Sequence, residues 1–166
     1  MKRRAPAPWL FAILNVPHAV VTGGVTGTLL SFLLRQQGVA PHAIANQRAL
    51  LLLPGSLFFL WSPVTDFLLR RKTWLLLATA ASSLTVMLAL QTTSYASKSA
   101  VSLLWTSSCL ILLASAAMGG LISLLMRQEQ KTRVGCFLQA GNLAGVAFSG
   151  GVCYCWRPMS ASSRWA

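Results

Sequence analysis

Acidic residues are almost absent from this sequence. Asp66 and Glu129 are the only two among 166 residues, and charged residues of both signs make up only 10% of the chain. A soluble domain carries about 25% charged residues to keep its surface hydrated, so the composition argues against a soluble fold. The same scarcity argues against an intramembrane enzyme, because catalysis would need paired acids or a nucleophile with a base. We therefore predict that the protein is not an enzyme.

Metal-ligand spacings are also missing. The four cysteines lie in or at the end of apolar runs, at Cys109, Cys136, Cys153 and Cys155. A buried cysteine usually behaves as a small hydrophobic residue. Neither a zinc-type spacing nor a secreted disulfide framework is recognisable, so we predict no metal and no cofactor.

Apolar sequence is what the chain has in abundance: 55% of its residues are hydrophobic, and its mean hydropathy is +0.62. A helix needs about 20 apolar residues to cross hydrocarbon ~30 Å thick. Five runs are long enough, at residues 9–34, 44–69, 74–95, 101–126 and 134–156. The pattern predicts an all-α fold, a polytopic membrane helix bundle in the lipid bilayer, with a basic N-terminus at residues 1–8 and a short irregular tail at residues 157–166.

The net charge of +12 is spread in small clusters between the apolar runs. No polar face is large enough to dock a duplex, so we predict no nucleic-acid partner. Lysine and arginine accumulate on cytoplasmic loops. If the N-terminus is inside, nine of the 14 basic residues lie on the inner side, at residues 2–4, 70–72 and 127–133. The count predicts an integral membrane protein with a cytoplasmic N-terminus.

Two polar stripes interrupt the apolar runs and are candidate substrate-cavity lining. In the first run the polar residues are three, four and four positions apart, on one helical face: Asn15, His18, Thr22 and Thr26. In the fifth run, Gln139 and Asn142 share a face. Polar side chains are costly against lipid, so both stripes are expected to face protein or water. For His18 two readings stay open, an interhelical hydrogen bond and a substrate or proton site.

Glycine pairs indicate close helix packing. Small-xxx-small pairs permit two helices to approach closely, and the candidates for such contacts are Gly23, Gly27, Gly119, Gly120, Gly141 and Gly145. Proline predicts distortion of two helices, at Pro17 in the first run and at Pro54 and Pro63 in the second. Arg48 lies about one turn inside the second run, where it either snorkels to the interface or meets a ligand.

The second and third runs are joined by the stretch LWSPVTDFLLRRKTW, residues 60–74. It carries Asp66, followed by the basic cluster Arg70, Arg71 and Lys72. Asp66 and Arg70 are four residues apart, so they can pair within a helix. The stretch is either a gating motif or a simple positive-inside anchor.

These features together resemble the major facilitator superfamily, whose signature at this turn is roughly G-x-x-x-D-R-x-G-R-R. Asp66 occupies the position of the acidic residue in this signature, and residues 70–72 occupy the position of its basic cluster. The likeness is closer to the branch of muropeptide permeases and acetyl-coenzyme A transporters. Its pattern L-P-x-x-L-x-F-L-W-x-P-x-x-D is similar to LPGSLFFLWSPVTD at residues 53–66, and LQAGNLAG at residues 138–145 resembles its glutamine- and glycine-rich segment. Phe58 departs from that branch, which often has a lysine there.

The resemblance covers residues 9–152 and implies about five helices of a six-helix major facilitator N-terminal half. It implies a secondary transporter that moves a small solute by alternating access, in a bacterial inner membrane. No sixth run follows the fifth, so we expect a truncated product whose partner is the missing C-terminal bundle or another membrane subunit. The alternative is a membrane-embedded interaction or signalling subunit without transport of its own.

Overall fold

The computed structural model describes the backbone of residues 6–67, 70–92 and 94–161, and the side chains of these residues except 62, 64, 66, 67 and 152–161. All regular structure in these ranges is helical, which confirms the all-α prediction. The helices are α1 (Trp9–Ala19), a π-helical segment (Val20–Leu29), α2 (Leu30–Gln36), α3 (Pro41–Ser56), α4 (Phe58–Phe67), α5 (Arg71–Leu90), α6 (Lys98–Leu125) and α7 (Gln128–Ala161).

Three helices in the described ranges are long and apolar enough to cross a membrane, as expected of an integral membrane protein. They are Trp9–Gln36, which combines α1, the π-helical segment and α2, then Arg71–Leu90 and Lys98–Leu125. The second predicted run is divided between α3 and α4. The fifth lies within α7, which continues to Ala161, so residues 157–161 of the predicted irregular tail are helical. A helical backbone satisfies its own hydrogen bonds, which an irregular tail beside lipid would not.

The break between α3 and α4 falls at Leu57, three residues after Pro54. Leu57 leaves the helical conformation, with φ −96° and ψ 20°. Pro54 and Gly55 weaken the last turn of α3, because proline lacks a backbone N–H and glycine is a poor helix former. The indole Nε1 of Trp61 donates to the Pro54 carbonyl oxygen at 3.3 Å, which satisfies an acceptor at the end of α3.

The turn between the first helix and α3 follows local backbone rules. Gly38 adopts φ +74°, the left-handed conformation that commonly ends a helix. Pro41 then occupies the first position of α3, where its missing N–H costs nothing. This short connection reverses the chain direction.

Helix α6 lies at the centre of the bundle. It forms an antiparallel hairpin with α5 and also contacts α1, the π-helical segment, α3 and α4. Helix α7 instead packs along α1 and the π-helical segment. The residue numbers of the close contacts increase together along the two helices, from Ala12 beside Gly141 to Gly24 beside Ser149. The first helix and α7 therefore run in parallel.

The two ends of the bundle differ in chemistry. At one end Gln47 Nε2 donates to the Tyr95 carbonyl oxygen at 3.1 Å, and the Tyr95 backbone N–H donates to Gln37 Oε1 at 3.2 Å. These bonds join the end of the first helix, the start of α3 and the α5–α6 connection. The opposite end, which we call the basic end, carries Arg70, Arg71, Lys72, Arg127, Lys131 and Arg133. The residues predicted for two inner connections therefore lie at the same end.

A buried serine pair joins α5 to α6 at mid-height. Ser82 and Ser107 are both fully buried, and their hydroxyl oxygens are 2.8 Å apart. Each hydroxyl is also within 3.1 to 3.2 Å of the other residue's carbonyl oxygen. Each hydroxyl gives the other a hydrogen-bond partner in an otherwise apolar hairpin.

We expect Ser82→Ala and Ser107→Ala each to lower the free energy of unfolding by about 1 kcal/mol. The double variant should lose less than the sum, by about 0.6 kcal/mol, because the second substitution removes a hydroxyl that has already lost its partner. Thermal unfolding of the wild type, the two single variants and the double variant in detergent measures these differences in the free energy of unfolding. Additive losses would show that the two hydroxyls do not interact.

Candidate functional site

The polar stripe of the first helix lies inside the bundle, but most of its members are satisfied there. Asn15 is buried, and its Nδ2 donates to the Leu138 carbonyl oxygen of α7 at 3.0 Å. The Thr22 hydroxyl donates to the His18 carbonyl oxygen at 2.7 Å. The Thr26 hydroxyl lies 2.5 Å from the Thr22 carbonyl oxygen. Asn15 therefore joins α1 to α7, and the two threonines bond to their own helix.

His18 differs from the other members of the stripe in having an enclosed side-chain atom without a described partner. Its ring is half-buried and lies against the Ile111 backbone of α6. Its Nδ1 is enclosed by protein and has no hydrogen-bond partner among the described residues. His18 follows Trp9 by nine residues, about 14 Å of helix. If the hydrocarbon begins at Trp9, His18 lies near the middle of a layer ~30 Å thick. An imidazole at that depth can bind a polar solute group or carry a proton.

The helix is irregular immediately after His18. From Val20 to Leu29 it is π-helical, and the Leu30 N–H bonds to the Val25 carbonyl five residues back. The Thr28 hydroxyl bonds to the Gly23 carbonyl oxygen at 3.2 Å, also five residues back. Pi-helical turns are rare and occur frequently at functional sites. The distortion expected at Pro17 is thus found one turn later.

The second predicted stripe is not wholly inside the bundle. Asn142 is half-buried, whereas Gln139 is exposed. The adjacent residue, Leu138, offers the carbonyl that Asn15 binds. The structure thus places Asn142, but not Gln139, on the side of the first polar stripe.

Close packing between the first helix and α7 depends on glycine. A Cβ added at Gly141 would overlap the Ala12 carbonyl oxygen, and one added at Gly145 would lie 2.6 Å from the Ala19 Cβ. From the other side, a Cβ on Gly23 would overlap the Val146 side chain, and one on Gly24 would overlap Ser149. Gly24 was not among the predicted packing residues. These four glycines contact helices of the same chain.

The other predicted packing glycines differ from one another. A Cβ added at Gly119 meets nothing within 4 Å in the described part of the chain. One added at Gly27 meets only a carbonyl of its own helix, at 3.5 Å. One added at Gly120 would overlap the Arg71 guanidinium. Gly120 therefore gives room to a side chain of the basic cluster and not to a neighbouring backbone.

The predicted gating motif is described only in part. Asp66 lies in the backbone of α4, but its side chain is outside the described residues. Arg70 directly precedes α5 and is exposed, as is Lys72, while Arg71 is half-buried on Gly120. The structure thus joins the motif to α6 through Arg71. Arg48, for which two roles stay open, is exposed on α3.

Sequence reasoning missed three features of this region. The contact of Arg71 with Gly120 and the position of Ile111 beside His18 have no local sequence signal, because each joins distant helices. The π-helical segment has a weak one: its sequence, VVTGGVTGTL, consists mainly of β-branched residues and glycine, which are poor α-helix formers.

The described residues contain no group of three His, Cys, Asp or Glu side chains that could hold a metal ion. Comparison of the chain with protein-family models, with curated proteins and with solved structures gave no significant match.

Proposed function

We propose that the chain is a secondary transporter of the major facilitator type, which moves a small solute by alternating access. The observation that carries the proposal is His18. Its imidazole has an enclosed nitrogen without a partner among the described residues, and it is followed by an irregular helical segment, at about half the length of the first candidate span. Binding sites near the bilayer midplane, built on interrupted helices, are typical of secondary transporters.

The helix arrangement supports five membrane crossings. The parallel pairing of α1 with α7 and the antiparallel pairing of α5 with α6 fit a chain that crosses alternately. The bonds of Gln37 and Gln47 to Tyr95 keep two connections, α2–α3 and α5–α6, at the same end, as five crossings require. The positive-inside rule favours a cytoplasmic basic end, and the resemblance implies a bacterial inner membrane.

The alternative, a membrane-embedded interaction or signalling subunit, relied on glycines that would pack with another protein. Three of the four, Gly23, Gly141 and Gly145, instead pack within the chain, whereas Gly27 meets only a carbonyl of its own helix. Their side of the helices is thus less available to a partner. This favours the transporter, with Asp66 and residues 70–72 as its gating corner.

The test compares the only two acidic residues of the chain. We expect Asp66→Asn to reduce flux more than tenfold, since one group of a gating pair is lost, while Glu129→Gln leaves flux within about twofold because an exposed acid contributes little. The measurement is uptake of a radiolabelled muropeptide and of acetyl-coenzyme A, the solutes named by the resemblance, into proteoliposomes. Thermal unfolding in detergent confirms that both variants fold.

Equal flux from the wild type and Asp66→Asn would contradict the gating role. Absence of flux from every version, with all of them folded, would support the subunit.

A further inference from the structure

The basic end has a defined shape where α5 meets α6. The Arg71 guanidinium lies on Gly120, whereas α6 continues to Leu125. Five further residues at 1.5 Å each carry α6 about one and a half turns past the start of α5. The two helices therefore form a step, with Arg70 and Lys72 at its base and Arg127 at its edge.

Positive charge at this step is not balanced by the chain. Arg70, Lys72, Arg127 and Arg133 are exposed, and Lys131 is half-buried. The whole sequence has only two acidic residues, Asp66 and Glu129, to balance these five basic residues. Basic side chains concentrated between membrane helices on the cytoplasmic side attract anionic headgroups.

Exposed apolar side chains border the same step. Leu76, one helical turn from Lys72 on α5, is 69% exposed. On α6, Leu124 is 72% and Leu125 43% exposed. Acyl chains can pack against these leucines while a phosphate stays at the level of the arginines. A free anion would gain nothing from the leucines, so their presence favours a lipid.

We infer that the step between the start of α5 and the end of α6 binds an anionic phospholipid. Its phosphate is held by Arg70, Lys72 and Arg127, and its acyl chains lie along Leu76 and Leu124. The inference does not depend on transport.

The test uses two double variants of the full chain with the same change in net charge. Lys72→Gln with Arg127→Gln removes two bases from the step, and Arg35→Gln with Arg48→Gln removes two exposed bases from elsewhere in the chain. Delipidated protein in neutral detergent is titrated with phosphatidylglycerol or phosphatidylcholine, and bound lipid is counted by native mass spectrometry. Thermal unfolding checks the fold of each variant.

We expect the wild type to prefer phosphatidylglycerol. The first variant should bind it about 25-fold more weakly, at about fivefold for each base removed, and the second should bind like the wild type. Equal losses in the two variants would show a general charge effect and overturn the inference. Equal binding of both lipids would do the same. Displacement of phosphatidylglycerol by millimolar inorganic phosphate would identify a free anion as the ligand instead.

Discussion

Gly141→Ala is expected to destabilise the helix bundle by about 2–3 kcal/mol, although alanine is the better helix former. The added Cβ would overlap the Ala12 carbonyl oxygen. That atom belongs to the backbone of α1, so it cannot move without displacing the whole helix. Separating α1 from α7 would also lengthen the Asn15 bond to Leu138, which is 3.0 Å in the native structure.

The matched control is Gly135→Ala in the same helix. A Cβ at Gly135 meets nothing within 4 Å in the described part of the chain. Alanine loses less backbone entropy than glycine when the helix folds, so Gly135→Ala should stabilise the protein by about 0.5–1 kcal/mol. The unfolding temperature in detergent should fall for Gly141→Ala and rise for Gly135→Ala. Equal stabilisation of both would contradict the close approach of α1 and α7.

The glycine pattern illustrates what the sequence can and cannot predict. The spacing of Gly141 and Gly145 indicates a close helix contact, but it does not name the other helix. Any small-residue face would fit a GxxxG pair, and only the fold shows that α1 lies opposite. Gly119 and Gly120 look equivalent in sequence, yet Gly120 alone faces Arg71.

The polar stripe was predictable in a similar, limited way. Helical periodicity places Asn15, His18 and Thr22 on one face, and the cost of polar groups in lipid turns that face inward. Periodicity does not show how each residue is satisfied. A threonine can bond to its own helix, as Thr22 does, whereas an imidazole ring needs a partner from elsewhere. The structure thereby narrows the candidate site from a stripe to His18.

Alternating access makes a specific prediction for position 18. If His18 lines a central site, a cysteine in its place should react with a small polar reagent from both sides of the membrane, since each state opens the site to one side. The background for this experiment is a chain whose four native cysteines are replaced by alanine. Asn15→Cys is the buried control, and Ile13→Cys, where the native side chain is 59% exposed, is the lipid-facing control.

The measurement that tests transport most directly is the labelling of His18→Cys by a charged methanethiosulfonate in oriented proteoliposomes, applied separately to each side. For a transporter we expect labelling from both sides at position 18, at least tenfold faster than at positions 13 and 15, because the polar reagent reaches neither a lipid face nor a packed contact. Labelling at position 18 no faster than at the two controls would show that His18 is an interhelical packing residue, and would contradict the transporter.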